Sequence, residues 1–198
     1  IAIFTDGDIK HTAVIPLAGQ MVTNDIRIGL RTSLEAAEDI KKKYGSVINE
    51  TNDAQVNIPV PSISDKPESE ISKPTLTHII TCRIDEIFQE IEEEINSSGW
   101  ASKIRAGIVF TGGGCKLNGL DTYAENKLLM PTRIGSPKDI IGIQNLSGQT
   151  RYSTAVGLLL YKDEKLSEMP HRRKSDNPLL KYLEVIWKKF SVYFQREL

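Results

Sequence analysis

The sequence predicts an α/β protein, because strand-like and helix-like segments alternate along most of its 198 residues. An apolar run at residues 106–110 leads directly into three glycines at 112–114, which is typical of a buried strand that ends in a tight loop. Apolar residues at helical spacing extend from 75 to 97 and indicate one long amphipathic helix. Two further strand-like runs, at 1–4 and 12–16, flank a strong turn signal and predict a hairpin.

The segment after the hairpin predicts helices separated by a polar stretch. A short helix is expected over residues 22–30, and a second one begins at Thr32, which forms a capping box with Glu35. Gly45 is the expected end of this helix. Residues 46–74 are rich in Asn, Ser, Asp and Pro, and only residues 56–60 alternate enough for an edge strand.

The long helix begins near Pro74 and ends before Gly99. Its apolar stripe consists of Ile80, Ile84, Ile87, Phe88, Ile91 and Ile95, whereas Arg83, Glu86, Gln89, Glu90 and Glu93 lie outside the stripe. Later helices are expected over residues 120–129 and from about 153 to 161. Residues 162–178 are polar and contain two prolines, which predicts a flexible linker.

The charge of the chain is unevenly distributed. Seven Lys/Arg and three Asp/Glu between residues 171 and 198 give this tail a charge of +4, whereas the preceding residues carry −5. A basic tail on an acidic body indicates an anionic partner, which could be lipid, nucleic acid or an acidic protein. No apolar run is long enough to span a bilayer, and two isolated cysteines favour a reducing compartment.

The last twenty residues predict an amphipathic helix that lies on a membrane surface. Bulky apolar side chains fill one arc of about 160° on a helical projection, and lysines occupy the opposite side. This arrangement is typical of an interfacial helix whose lysines attract anionic lipid. The expected membrane contacts are Leu183, Ile186, Trp187, Lys188, Lys189, Phe190 and Phe194. A helix packed on the protein itself and one half of a coiled coil are the alternatives.

Two motifs are compatible with nucleotide binding, although neither is specific by itself. Gly112, Gly113 and Gly114 would let a ligand approach the backbone, but the segment matches neither a Walker A loop nor GxGxxG, so a plain turn explains it equally well. Glu38 and Lys41 share a helix face and would suit ribose hydroxyls, yet an ordinary solvated ion pair is the simpler explanation. No catalytic motif and no metal-ligand spacing is present, so we expect neither a catalytic residue nor a metal site.

Several short motifs occur together in the order that one protein family has them. They are IAIFT at 1–5, KHTAVIP at 10–16, VTNDI at 22–26, AEDIKKKYG at 37–45, AGIVFTGGG at 106–114, RIG at 133–135 and YSTAVGL at 152–158. Along nearly its whole length the chain therefore resembles FtsA, a family of actin-like bacterial cell-division proteins.

The resemblance implies an actin-like (ribonuclease H-like) fold, of which the chain holds the C-terminal half. Residues 1–20 and 106–162 would form subdomain 2A, and residues 21–105 would form 2B, a smaller inserted α+β subdomain. A linker at 163–178 and a membrane-targeting helix at 179–198 would follow. The absent initiator Met and the start in mid-strand lead us to expect a piece of a longer protein.

The resemblance also implies a nucleotide site. The residues that match the two adenosine-contacting motifs are Glu38, Lys41, Lys42, Gly112, Gly113, Gly114 and Lys116. The complete protein would bind ATP with Mg²⁺ and be at most a weak ATPase. The family's phosphate-binding loops should precede Ile1, so we expect this chain by itself to bind nucleotide weakly or not at all and to hydrolyse none.

The partners implied are those of a cell-division scaffold on the inner face of the cell membrane. Subdomain 2B would receive the C-terminal tail of FtsZ, the tubulin-like ring protein, with Arg83 and Glu86 as charged contacts. Anionic lipid, further copies in an actin-like filament and other division proteins would be the remaining partners, and no nucleic acid is expected. Half of an actin-like enzyme, such as a sugar kinase or a chaperone-type ATPase, is the alternative.

Overall fold

The computed structural model describes residues 1–63, 67, 69–138 and 148–168. The predicted membrane-targeting helix at 179–198, with all seven expected membrane contacts, lies outside these residues. Within them, no helix is both long and apolar enough to cross a bilayer. Contacts divide the chain into a first compact unit, Ile1–Val156, and a second, Gly157–Leu198.

The described residues form an α/β structure, as the sequence predicts. The strands are β1 (Ala2–Thr5), β2 (Asp8–Thr12), β3 (Asn57–Val60), β4 (Ser69–Ser72), β5 (Ile108–Phe110) and β6 (Thr132–Ile134). The helices are α1 (Gly19–Leu30), α2 (Leu34–Tyr44), α3 (Lys73–Ser97), α4 (Leu120–Leu128) and α5 (Ser153–Glu168). The pairs β1–β2 and β3–β4 are antiparallel, and β5–β6 is parallel.

The opening hairpin is confirmed, but its second strand comes earlier than residues 12–16. Asp6 and Gly7 both have positive φ, at 56° and 85°, which is the geometry of a two-residue type I′ turn. Thr5 therefore pairs directly with Asp8. The ring of His11 in β2 contacts the carboxylate of Glu94 in α3 at 2.7 Å, which fastens the hairpin to the long helix.

Helix α2 begins one residue later than the capping box predicts. Its N-cap is Ser33, whose hydroxyl accepts a hydrogen bond from the Ala36 amide. Thr32 is unavailable for that role because it is buried and its hydroxyl donates to the Pro61 carbonyl at 2.6 Å.

Helix α5 continues to Glu168, so the first six residues of the predicted linker, 163–168, are helical. The segment contains Lys, Glu and Leu, which are good helix formers, and no proline before Pro170. The polarity of the segment is therefore compatible with a helix as well as with a linker.

The core of the first unit lies between α1, α2 and α3 and extends under α4. Apolar side chains of the α3 stripe are central to it: Ile80, Ile84, Phe88 and Ile95 are buried. The Phe88 ring lies 5.7 Å from that of Phe110 and 6.2 Å from that of Tyr123. These aromatic contacts join the long helix to α4 and to β5, the strand that leads into the glycine loop.

Candidate functional site

Helix α2 contributes to a cluster of polar groups that we call the Lys41 cluster: Gly19, Thr23, Glu38 and Lys41. The Lys41 ammonium donates to the Gly19 carbonyl at 3.1 Å and to the Thr23 hydroxyl at 2.6 Å, and it lies 2.6 Å from the Glu38 carboxylate. All three ammonium hydrogens therefore have acceptors. The Thr23 hydroxyl lies 2.5 Å from the same carboxylate oxygen of Glu38.

Glu38 is held ionised by this cluster. Burial opposes its ionisation, but hydrogen bonds from Lys41 and Thr23, with the charges of Lys41 and Lys42, keep the pKa of Glu38 below its ordinary value. Its second carboxylate oxygen faces Lys42 at 3.5 Å. The Glu38 side chain is 31% exposed and that of Lys42 is 67% exposed, whereas Lys41 is 14% exposed. Glu38 and Lys42 are thus open to a ligand, and Lys41 is committed to protein groups.

The glycine loop lies beside this cluster. A Cβ added to Gly19 would lie 3.7 Å from the Gly114 Cα and 3.9 Å from the Lys41 nitrogen, so α1 brings the two sequence motifs together. Gly112 has a φ of +98°, and an added Cβ there would meet nothing within 4 Å. Its amide donates to the Thr150 carbonyl at 3.2 Å. The loop therefore keeps an open side where larger residues would place side chains.

A short turn separates the glycine loop from α4, the helix that the sequence predicts over residues 120–129. Gly114–Lys116 is a single 3₁₀ turn, and α4 begins only at Leu120. Cys115 is buried in this turn and its thiol donates to the Gly112 carbonyl. Lys116 is exposed and makes no side-chain hydrogen bond with the described residues.

The end of α2 is fastened to the turn that follows the loop. The backbone N–H of Asn118 donates to the Gly45 carbonyl at 3.4 Å. The backbone N–H of Val47 donates to the backbone carbonyl of Asn118 at 3.0 Å. Gly45 has extended backbone angles, φ −64° and ψ 126°, so positive φ is not what requires glycine there. A Cβ at Gly45 would lie 2.9 Å from Leu117. Glycine thus permits the close approach that fixes Lys41 and Glu38 relative to the loop.

The two residues expected to bind the FtsZ tail lie in a second group, the Arg83 cluster: Asp25, Arg83 and Glu86. The Arg83 guanidinium donates through Nε and Nη2 to the two Asp25 oxygens at 2.6 and 3.0 Å, and through Nη1 to Glu86 at 2.5 Å. The hydrogen bond to Asp25, together with both negative charges, raises the pKa of Arg83 although burial opposes this. The Arg83 side chain is 20% exposed and that of Glu86 is 58% exposed.

Helix α1 supplies a side chain to each cluster, Thr23 to one and Asp25 to the other, and sequence reasoning missed both. Thr23 and Asp25 are two positions apart, which puts them about 200° apart around the helix. Thr23 is fully buried, and a polar residue between the apolar Val22 and Ile26 is the only sequence signal for it. Asp25 has no such signal, because its partner Arg83 is 58 residues away.

The exposed polar groups around Lys41 and the glycine loop can bind the polar groups of an organic ligand. Ionised Glu38, exposed Lys42 and the open side of the glycine loop offer acceptors, a cation and accessible backbone for hydroxyl and base groups. The described residues include no group of three or more His, Cys, Asp or Glu side chains suited to a metal.

Comparison with proteins of known structure shows an actin-like fold. MreB5 of Spiroplasma citri bound to AMPPNP matches with a TM-score of 0.67 at 22% identity, covering 84% of this chain and 50% of that one. The same protein bound to ADP matches with a TM-score of 0.65 at 23% identity, covering 82% and 49%. The chain thus corresponds to about half of an actin-like protein.

Sequence comparison identifies the family. Residues 1–157 match the model of the family described as cell division protein FtsA. The FtsA protein of Pseudomonas aeruginosa is 44% identical over 168 residues, and that of Neisseria meningitidis is 39% identical over 160 residues. These alignments cover 85% and 80% of this chain but only 40% and 39% of the relatives, so the chain spans about two fifths of their length. The chain belongs to the FtsA family of cell-division proteins.

Proposed function

We propose that the chain is the FtsZ-binding and membrane-binding part of a cell-division scaffold. In this proposal Arg83 and Glu86 bind the C-terminal tail of FtsZ, and residues 179–198 attach the protein to the inner face of the cell membrane at the division site. The observation that carries it is the Arg83–Glu86 pair, one turn apart on α3 with the Arg83 Nη1 2.5 Å from the Glu86 carboxylate, in a chain of the FtsA family.

The chemistry of the Arg83 cluster supports a peptide partner of mixed charge. The Arg83 guanidinium binds a carboxylate of the tail. The exposed carboxylate of Glu86 accepts a hydrogen bond from a lysine or arginine nearby in the same peptide. Because Arg83 is partly buried, a charge-assisted hydrogen bond there is stronger than one between fully exposed groups.

Binding of a synthetic FtsZ tail peptide to the full chain tests this part of the proposal. We expect Arg83→Glu to weaken binding at least about tenfold, since it removes the attraction and adds repulsion. Lys127→Glu is the matched control, because it makes the same charge change on α4, where Lys127 pairs with Asp85. Equal losses in the two variants would refute a specific role for Arg83.

The amphipathic pattern of residues 179–198 supports the membrane part. Sedimentation with vesicles containing anionic lipid should deplete the full chain from solution, and salt should weaken this binding. Trp187→Glu introduces a charge on the apolar side and should abolish binding. Ser191→Glu introduces the same charge on the polar side and should leave most of it. A chain that ends at Met169 and binds as well as the full chain would contradict the proposal.

For the nucleotide we propose that the complete protein binds ATP with Mg²⁺ and that this chain supplies the adenosine side. Glu38 and Lys42 would contact the nucleotide, Gly112, Gly113 and Gly114 would let it approach the backbone, and Lys41 would position Glu38. Lys116, exposed after the loop, is the remaining proposed contact. The MreB5 neighbours hold ADP and AMPPNP in the same fold, which is consistent with this.

Calorimetric titration of the chain with ATP and Mg²⁺ tests whether this chain supplies only the adenosine side of the nucleotide site. We expect weak binding or none, because the phosphate-binding loops that the family has are not among these residues. A micromolar affinity would contradict that expectation. Polymerisation into actin-like filaments and contacts with other division proteins are proposed for the complete protein.

A further inference from the structure

The guanidinium of Arg83 already has carboxylate partners within the chain. Asp25 takes two of its nitrogens, Nε and Nη2, in a bidentate pair, and Glu86 takes the third, Nη1. One positive and two negative charges leave the Arg83 cluster with a net charge of −1. An approaching carboxylate therefore meets a guanidinium that has already used three of its five N–H groups, in a cluster whose net charge has the same sign as its own.

The ion pair between Asp25 and Arg83 is better shielded from solvent than an ordinary surface ion pair. Both side chains are mostly covered, at 20% and 24% exposure, and they belong to different helices, α3 and α1. A bidentate pair in such a setting is stronger than an exposed ion pair, because solvent screens it less. Glu86 is 58% exposed and lies on the same helix, so it can move away from Arg83 without disturbing the packing.

We propose that Asp25 is an internal competitor for Arg83, which occupies the guanidinium in the unbound chain and lowers its affinity for the carboxylate of a partner peptide. This inference rests on the proposed role of Arg83 and Glu86 in binding the FtsZ tail. The partner carboxylate either displaces Asp25 from the guanidinium or binds only those N–H groups of Arg83 that Asp25 does not use. Asp25 thereby sets how tightly the carboxylate of the partner peptide binds to Arg83.

The competitor role makes a prediction opposite to that of a supporting role. If Asp25 competes, its replacement by a neutral isostere raises affinity, because Arg83 becomes available and the cluster loses one negative charge. If Asp25 instead orients Arg83 for the partner, the same replacement lowers affinity. The sign of the change therefore decides between the two roles.

The experiment measures binding of the FtsZ tail peptide to the full chain, to Asp25→Asn and to Asp39→Asn. Asp39 is an exposed carboxylate on α2 with no side-chain partner among the described residues, so its variant reproduces the change in net charge alone. We expect Asp25→Asn to tighten binding about fivefold to tenfold, the scale of a close charge interaction. Asp39→Asn should stay within about twofold of the original.

A second readout follows Arg83 itself and needs no peptide. Phenylglyoxal modifies free guanidinium groups, and mass spectrometry of peptides digested from the modified variants gives the rate at Arg83. Asp25→Asn should raise this rate severalfold, with circular dichroism establishing that the variant is folded; if it is not, Asp25→Ser is measured in its place. An unchanged rate at Arg83 overturns the inference.

The outcomes separate this inference from the function on which it rests. Binding by the original chain that Arg83→Glu abolishes, with no gain or a loss in Asp25→Asn, overturns the competitor role and keeps the proposed function. Absence of binding by the original chain and by Asp25→Asn alike overturns both. Tighter binding together with faster modification supports the inference.

Discussion

Replacing Gly45 by alanine tests the close approach that fixes α2 to the glycine loop. Alanine is ordinarily the better residue at a backbone of φ −64°, and it would stabilise the chain by about 0.5–1 kcal/mol through the unfolded state alone. Here its Cβ would lie 2.3 Å from the Lys41 carbonyl oxygen and 2.9 Å from Leu117. Real Cβ atoms do not come so close, so the backbone must move.

The loss of stability in Gly45→Ala can be estimated from the contacts that the added Cβ disrupts. The hydrogen bond from the Gly45 amide to the Lys41 carbonyl, at 2.9 Å, contributes about 1 kcal/mol. Overpacking against Leu117 costs about 1–3 kcal/mol. After the gain in the unfolded state is subtracted, the free energy of unfolding should fall by about 2 kcal/mol.

The assay is urea unfolding followed by circular dichroism, with Gly157→Ala as the matched control. Gly157 lies within helix α5, and a Cβ added there would meet nothing within 4 Å. The control should leave stability unchanged or raise it by up to about 1 kcal/mol. Equal effects of the two variants would refute the steric reasoning, because of these two positions only Gly45 would place the added Cβ against other atoms.

Three further predictions concern stability. Gly107→Ala should cost more than Gly99→Ala in urea unfolding: both residues have positive φ, +84° and +74°, but only at Gly107 would a Cβ strike backbone, 2.0 Å from the Pro131 carbonyl oxygen. Burial and a hydrogen bond to a carboxylate raise the pKa of Tyr123 to about 12, so stability should fall as pH rises from about 10 to about 12; Tyr123→Phe should flatten that fall, and a parallel pH dependence would contradict it. The Glu50 amide and then Lys73 lower the pKa of Asp53 below 3.8, so this contribution is present above that pH and lost as pH falls through the lowered value; Asp53→Asn should reduce the loss seen in acid titration.

The elements that the sequence predicts correctly are those with local signals. The stripe of α3 repeats over 25 residues, which is enough to give a clear helical period. The Asp6-Gly7 pair identifies the hairpin turn, although the alternation in residues 12–16 suggests a later strand than the one that forms. Strand β4 and strand β6 were not predicted, because each is short and is specified by its pairing partner and not by its own composition.

The candidate site shows the same division between local and long-range information. Glu38, Lys41 and the three glycines could be singled out by motif, and the structure brings Lys41 and Gly114 near Gly19. The sequence could not reveal that Arg83, which a helical projection leaves outside the apolar stripe, is covered by Asp25. That contact depends on how α1 crosses α3, and pairing across 58 residues has no local signal.

The position of α1 has a consequence for how the two proposed sites communicate. A helix moves largely as a rigid rod, and this one has Thr23 against the Lys41 cluster and Asp25 against Arg83. A nucleotide that shifts α1 would alter the ion pair between Asp25 and Arg83. A peptide that displaces Asp25 would alter the hydrogen bond between Thr23 and Glu38. Thermodynamic linkage makes the two effects equal in size: whatever factor a nucleotide applies to the peptide's affinity, the peptide applies to the nucleotide's.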